Sequence, residues 1–383
     1  MILILKKQFI ERILRLRTPK NITYLWGFGR FLGIIIIIQI IRGILLAFYY
    51  VRGSLGWDSV IEITREVNGG WLLRLIHRNT ASFVFLVLFI HFFRGIIQRS
   101  FYLKGPWLRG WGIIVLTIIS AFLGYVLPWG QISFWGATVI INLISILPKG
   151  KLLVVWLWGG FYVRSFTCRF FFTLHFLVPL IVILIAILHL YFLHFRGRSI
   201  PGGLNRSSSL KIKFSLFFTY KDIVNLRSLW ILWIWALAYP DWSADPVNFV
   251  ISDLSNSPIH IQPEWYFLHL YAILRSIPNK IGGLIGFAFA LILITILALV
   301  KRKQSFSQFF LRNYISFFFF FINLILLWLG IQPVEAPFIF MGQIATALYF
   351  SYLTIILILD VIIYNFLSSN SVISTINFQL KRK

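Results

Sequence analysis

Apolar residues run through this chain in long blocks, with the polar positions gathered into the gaps between them. A membrane-spanning helix needs roughly 20 apolar residues. Eight stretches approach that length, at about 31–50, 76–98, 111–128, 170–194, 224–240, 282–300, 314–331 and 341–366. The third ends in Leu127-Pro128-Trp129, a helix stop. The fifth is the least cleanly apolar. Residues 131–165 are amphipathic, with Gly159-Gly160 marking a turn, and predict interfacial helices rather than a crossing. Residues 241–280 hold Asp241, Asp245, Pro246, Pro258, Pro263 and Pro278 and predict a long structured loop, the kind of segment that often carries function. The expected fold is all-α and polytopic, with eight transmembrane helices. Its first part, 1–220, would be a four-helix region and its second, 221–383, a four-helix region containing the loop.

Composition agrees. Hydrophobic residues make up 59% of the 383 and charged residues 12%, against about 45–50% and 25% in soluble domains. Residues 1–30 are basic and interrupted by Pro19, so no cleavable leader is expected. The net charge of +25 could suit nucleic acid, but the charges lie between apolar spans and read as topogenic. No nucleic-acid partner is expected. With eight spans both termini share a side. The segments on that side carry 24 Lys and Arg against two acids, and the opposite loops carry 8 of each sign. The termini are thereby assigned to the negative, matrix- or cytoplasm-like side. The excess of Phe and Ile, with only two Met, hints at an AT-rich, organellar genome. A single cysteine, Cys168, excludes a four-thiolate cluster supplied by this chain, so iron–sulfur chemistry would need a partner.

No tandem repeat is visible, but one internal echo is. His77 and His91 are 14 residues apart in the second span, and His175 and His189 are 14 apart in the fourth. Fourteen residues rise about 21 Å and bring both side chains within about 40° of one helix face. Two such helices side by side would make two bis-imidazole sites stacked through the bilayer. A single intramembrane histidine commonly bonds to a neighbouring helix. Four at matched spacing fit axial ligation of two haem irons in a bundle core. With both axial positions taken, such haems carry electrons. Span direction pairs His77 with His175 near the positive side and His91 with His189 near the negative side.

Arg74 and Arg78 flank His77, and Arg94 lies one turn from His91. Arginine in a membrane needs a partner, and haem propionates suit it; snorkelling to the headgroups is the alternative. Gly29 and Gly43, and Gly110 and Gly124, repeat the 14-residue spacing on the first and third spans. Glycine lets a flat macrocycle approach the backbone, although small-residue helix packing would also select it.

Longer segments carry a resemblance. They are residues 123–131 (LGYVLPWGQ), 134–140 (FWGATVI), 156–161 (WLWGGF) and 341–345 (MGQIA), and above all Pro263-Glu264-Trp265-Tyr266 followed by 271–280 (YAILRSIPNK). Over nearly its whole length the chain resembles mitochondrial and bacterial cytochrome b. The photosynthetic relative is split after the fourth span and spaces its second histidine pair by about 15, so the respiratory form is the better match. The resemblance implies the haem-b subunit of complex III, a quinol–cytochrome c oxidoreductase of the mitochondrial inner membrane or, alternatively, a bacterial plasma membrane. It implies two haem b groups, ubiquinol and ubiquinone as substrates, a Q-cycle, lipid contacts, a homodimeric complex, and partners including a Rieske iron–sulfur protein and a cytochrome c1-type subunit.

It also implies a quinol-oxidation pocket with Glu264, Tyr125, Gly136, Phe122 and Tyr271, and a quinone-reduction pocket with His194 and Asp222. Burial beside Trp265 and Tyr266 would raise the Glu264 pKa and make it a usable proton acceptor. The electron crosses against the membrane potential, at about 2.3 kcal/mol per charge per 100 mV, so the haem farther from the quinol site must have the higher potential. Departures from the family lie at Arg30 and Arg198, where a small polar residue is usual, and at Gly27, where Asn is usual. His269 replaces an apolar residue, and Gly112 could take the place of Gly110. Two other readings fit parts of the chain. A di-haem anchor of a dehydrogenase predicts fewer spans, and a channel with a histidine proton relay predicts no haem bands.

Overall fold

The computed structural model describes residues 17–53, 55–196, 211–213, 217–300 and 309–380. Arg198 lies outside the described residues. Two three-residue strands, β1 (Arg17–Pro19) and β2 (Lys211–Lys213), pair antiparallel. Apart from an isolated bridge between Gly130 and Ile251, the other regular structure among the described residues is helical.

The helices are α1 (Phe28–Ala47), α2 (Gly56–Arg65), α3 (Gly70–Ile97), α4 (Lys104–Val126), α5 (Gln131–Ile144) and α6 (Gly150–Trp158), followed by α7 (Ser165–Arg196), α8 (Phe217–Ala238), α9 (Leu268–Ser276), α10 (Lys280–Ile296), α11 (Phe309–Ile331) and α12 (Phe338–Leu380). Among the described residues six helices are long and apolar enough to cross a membrane: α1, α3, α4, α7, α11 and α12. The two remaining stretches of the sequence pattern are helical as well. However, α10 has only 17 residues, and the first half of α8 is diluted by Lys221, Asp222, Asn225 and Arg227. The amphipathic stretch forms α5 and α6. Gly159 at φ +65° and Gly160 at φ +158° turn the chain after α6, in conformations that L side chains rarely adopt.

The described residues fall into two compact units. One is drawn from Met1–Arg94, Gly112–Leu188 and Asn205–Tyr266, the other from Gly95–Trp111, His189–Leu204 and Phe267–Lys383.

In the first unit α4 stops at Val126 because Pro128 cannot continue it. Trp129 then adopts φ +60°. The free amides at the start of α5 are met by the long loop. Gln131 N donates to the Val250 carbonyl at 2.9 Å, and Ser133 N donates to Asn248 Oδ1 at 2.9 Å. The Gln131 side chain bonds in both directions, donating to the Asn256 carbonyl at 2.6 Å and accepting from Asp253 N at 2.7 Å. These bonds anchor the loop that leads to Glu264. Leu123, Val126, Phe134, Ile141, Cys168 and Phe171 pack beneath as an apolar core.

In the second unit α9 packs on α10, α11 and α12. Asn279 caps α10, its Oδ1 accepting from Ile281 N at 2.8 Å and Gly282 N at 3.1 Å. Arg99 pairs with Asp360 of α12 at 2.7 Å, and the Asp360 side chain is 2% exposed. An unpaired carboxylate at that depth would cost several kcal/mol, which the guanidinium offsets.

Candidate functional site

Helix α3 carries His77 and His91, and α7 carries His175 and His189. In the first unit the rings of His77 and His175 face each other, with centroids 6.4 Å apart and planes at 86°. His175 Nδ1 lies 2.8 Å from the carbonyl oxygen of Ser120. A carbonyl only accepts, so Nδ1 carries the proton and the Nε2 lone pair is left for a metal. Gly124 stands one turn along α4 from Ser120, and a Cβ there would come within 2.4 Å of His175 Cε1. On the other ring, a Cβ at Gly43 would lie 3.1 Å from His77 Cε1. Gly29 stands in the same way against His91, at 2.9 Å.

The second unit repeats the arrangement around His189. Its Nδ1 donates to the Pro106 carbonyl at 2.7 Å, and a Cβ at Gly110 would lie 3.1 Å from its Cε1. Gly110 is therefore the glycine against this imidazole; a Cβ at Gly112 would meet nothing within 4 Å. Each time α4 supplies a carbonyl and, four residues on, a glycine.

These residues fit a haem. Two metal–imidazole bonds of about 2.0–2.1 Å, with the distance from nitrogen to ring centre added on each side, separate the ring centres by about 6.3 Å. The His77–His175 spacing matches. Among the described residues no three His, Cys, Asp or Glu side chains gather as a metal cage, and two imidazoles at this spacing are the axial ligand set that suits a haem iron.

The arginines divide. Arg74 Nη1 donates to Thr64 Oγ1 at 3.2 Å. Arg78 turns to the loop instead, pairing with Asp241 at 2.7 Å and donating to the Pro240 carbonyl. Both arginines line a cavity of about 200 Å³ with Thr64, Trp71, Asp241 and Phe249. Arg94 lies 5.0 Å over the Trp26 ring, with Nη2 3.5 Å from His91 Nδ1. Sequence reasoning missed Gln39 and Arg42 on α1. Gln39 Nε2 donates to the His77 carbonyl at 2.7 Å.

The segment 263–266 is fixed to α3. Trp265 Nε1 donates to Ser82 Oγ at 3.2 Å, and the Tyr266 ring stacks on Phe85 at 3.9 Å and 6°. Glu264 is carried with them. Burial pushes its carboxyl up from 4.5 to about 7; Arg78 opposes the rise and Asp245 adds to it. Tyr125, at the end of α4, interacts electrostatically with Glu264. Phe122 packs edge-on to Phe171 at 5.9 Å, and a Cβ at Gly136 would meet nothing within 4 Å. Tyr271 belongs to the second unit, where the Arg275 guanidinium lies 4.9 Å from its ring. His269 is half-buried on α9.

Among the residues expected near the negative side, Asp222 forms an ion pair with Arg30. Lys221 Nζ donates to the Ile22 carbonyl at 2.7 Å. The space over Gly27 is filled by Asn225, whose Nδ2 lies 2.1 Å from where a Cβ at 27 would stand. The space at this position, where the resemblance implies Asn, is thus filled by an amide supplied from α8. His194, in the second unit, is exposed and donates from Nδ1 to the Leu190 carbonyl at 2.7 Å.

Comparison with known proteins bears on the same elements. Residues 13–197 match the family described as Cytochrome b/b6/petB, and residues 251–350 match that described as Cytochrome b(C-terminal)/b6/petD. A protein of Bugula neritina named Cytochrome b is 44% identical over 347 residues, covering 88% of this chain and 93% of its own. A solved chain titled Hyperthermophilic respiratory Complex III is similar with a TM-score of 0.83 at 28% identity, covering 93% of this chain and 97% of its own. With paired imidazoles on two apolar helices and these matches along most of its length, the chain belongs to the cytochrome b family, helical membrane proteins that bind haem b.

Proposed function

We propose that this chain is the electron-transferring subunit of a quinol–cytochrome c oxidoreductase, working by a Q-cycle in the mitochondrial inner membrane and crossing it eight times. The observation that carries the reading is the facing of His77 and His175 at 6.4 Å, each with a glycine against it. His77 and His175 would hold the low-potential haem b. His91 and His189, at the same 14-residue spacing, would hold the high-potential one. When bound, the two haems supply one-electron transfer between a quinol-oxidation site near the positive side and a quinone-reduction site near the negative side.

The chain's own side chains do the rest. The carbonyls of Ser120 and Pro106 fix the tautomers of His175 and His189, so that each presents an unprotonated Nε2. Gly29, Gly43, Gly110 and Gly124 keep the space beside the rings clear, and Arg74 and Arg94 offer guanidinium groups to propionates. At the quinol site Glu264 accepts a proton on its carboxylate. Its pKa of about 7 lets it act as a base near neutral pH. Tyr125, Phe122, Gly136 and Tyr271 shape that pocket. At the quinone site His194 and Asp222 bind the substrate and deliver protons, Asp222 being oriented by Arg30.

A Rieske iron–sulfur protein takes the first electron, since the lone thiol of Cys168 is buried and cannot hold a cluster. A c1-type subunit and a second copy of the complex complete the assembly. The test is a reduced-minus-oxidised optical spectrum of the purified complex with its haem-to-protein ratio. Two b-type haems per chain are expected; a colourless protein, or one haem per chain, would sink the reading.

A further inference from the structure

Three polar atoms on α1 and α3 are buried without a hydrogen-bond partner among the described residues: Gln39 Oε1, Arg42 Nη1 and His77 Nδ1. They form one cluster. Gln39 bonds the His77 backbone, and Gly43, next to Arg42, packs against the His77 ring. Arg42 is close enough to His77 to interact with it electrostatically. Its guanidinium lies 4.6 Å over the Trp233 ring, which fixes the position of the charged head.

A guanidinium has five N–H donors and does not shed its charge inside a protein. Within a membrane span it is costly unless an anion or hydrogen-bond acceptor receives it. Arg30, Arg78 and Arg99 each have a carboxylate, from Asp222, Asp241 and Asp360 respectively. Arg42 has none among the described residues, and an aromatic face attracts the cation without accepting the Nη1 hydrogen bonds. An anion at the level of His77, at the edge of the site His77 shares with His175, would supply that partner. A porphyrin clamped by those imidazoles brings carboxylates of its own to that level.

We propose that Arg42 is a haem-binding residue of the His77–His175 site, its guanidinium holding a propionate and its fixed charge favouring reduced iron. The inference rests on the haem assignment made above. Reduction adds one electron and makes the iron porphyrin more negative, so a cation at its edge stabilises the reduced form. That haem is also the lower-potential one of the pair, and Arg42 would keep it within reach of the quinol's electron. Removing the charge should make the haem harder to reduce and leave its counterpart unaffected.

The experiment is a redox titration of the purified complex, followed by the b-haem absorbance bands, for the wild type, Arg42→Gln and Arg42→Lys. Arg42→Gln should lower the one-electron reduction constant of one haem about tenfold or more, equivalent to about 59 mV, with the other unchanged. Arg42→Lys keeps the charge and should restore most of the difference. Where Arg42→Gln does not assemble, Arg42→Met, which keeps the apolar stem, gives the same reading. Two unchanged potentials in the neutral variant would overturn the proposal and reduce Arg42 to a packing partner of Trp233. A wild type without b haem would overturn the underlying haem assignment as well, so the two failures are distinct.

Discussion

His175 and Ser120 are joined by a 2.8 Å hydrogen bond from the imidazole Nδ1–H to the helix carbonyl, so the ring reaches its site in one tautomer and one orientation. Gly124, one turn along, lies against the same edge of the ring. A single methyl at 124 would fall 2.4 Å from His175 Cε1, well inside van der Waals contact. The ring cannot yield without breaking the Ser120 bond. Gly124→Ala should therefore remove the His77–His175 haem and spare the other, cutting b-haem absorbance by about half in a haem-to-protein measurement. Full absorbance would mean that α4 can move away and that the glycine is a packing residue only.

His77→Ala should likewise cost one haem of two. The measurement that separates ligation from folding is rescue, since imidazole added to the solution can enter the cavity left at 77 and restore the band. A variant that retains both haems without added imidazole would remove His77 from the ligand set.

The two histidine pairs were legible in the sequence because a 14-residue repeat is close to four helical turns, a regularity that apolar composition cannot hide. The helix stop at Pro128 and the turn at Gly159-Gly160 were legible for the same reason, as Pro and Gly act locally. Contacts across long sequence separations were not. Ser120 and Pro106 act through backbone carbonyls, which every residue possesses. Asn225 fills the space over Gly27 from 198 positions away, and no spacing rule relates the two. Arg78 reads as a haem partner beside His77, yet Asp241 in the loop captures it. Arg42 carries no spacing signal in the sequence, and only the assembled helices bring it to Trp233 and His77. The spans themselves show the limit of counting apolar residues. α8 mixes polar groups into its first half, and α12 runs on to Leu380 because no Gly or Pro follows 342 to break it.

Asp222 provides a test of the opposite face. Its ion pair with Arg30 keeps a carboxylate in place beside Gly27 and Asn225. Asp222→Asn preserves shape and hydrogen bonding but removes both the charge and the transferable proton. Quinone reduction at the negative side should slow by about 100-fold, in the range expected for a lost proton donor, with both haems retained. The assay runs that site in reverse, following b-haem reduction by quinol with the quinol-oxidation site blocked by an inhibitor, since both directions pass the same proton through Asp222. An unchanged rate would exclude Asp222 from proton delivery.

Glu264 carries the sharpest pH prediction. Its carboxyl is pushed from 4.5 to about 7, mainly by burial, with Asp245 raising it further and Arg78 opposing. Tyr125 and Tyr266 also face it but are neutral near pH 7. A folded-state pKa above the unfolded one means that the protonated form is favoured by folding. This contribution to stability is fully present below about 4.5 and is lost as pH rises through about 7. Catalysis runs the other way, because a base works only when unprotonated. Quinol oxidation should rise with pH, bend near 7 and level off above it. Glu264→Gln should lower the rate about 100-fold and abolish that bend while leaving both haems. Asp245→Asn offers a finer control. The amide can still accept from Val247 N, as Asp245 Oδ1 does at 2.9 Å, so the turn at Pro246 should survive. Only the neighbouring negative charge is lost, and the bend should move to lower pH. A shift to higher pH, or the same bend persisting in Glu264→Gln, would place the titrating group elsewhere.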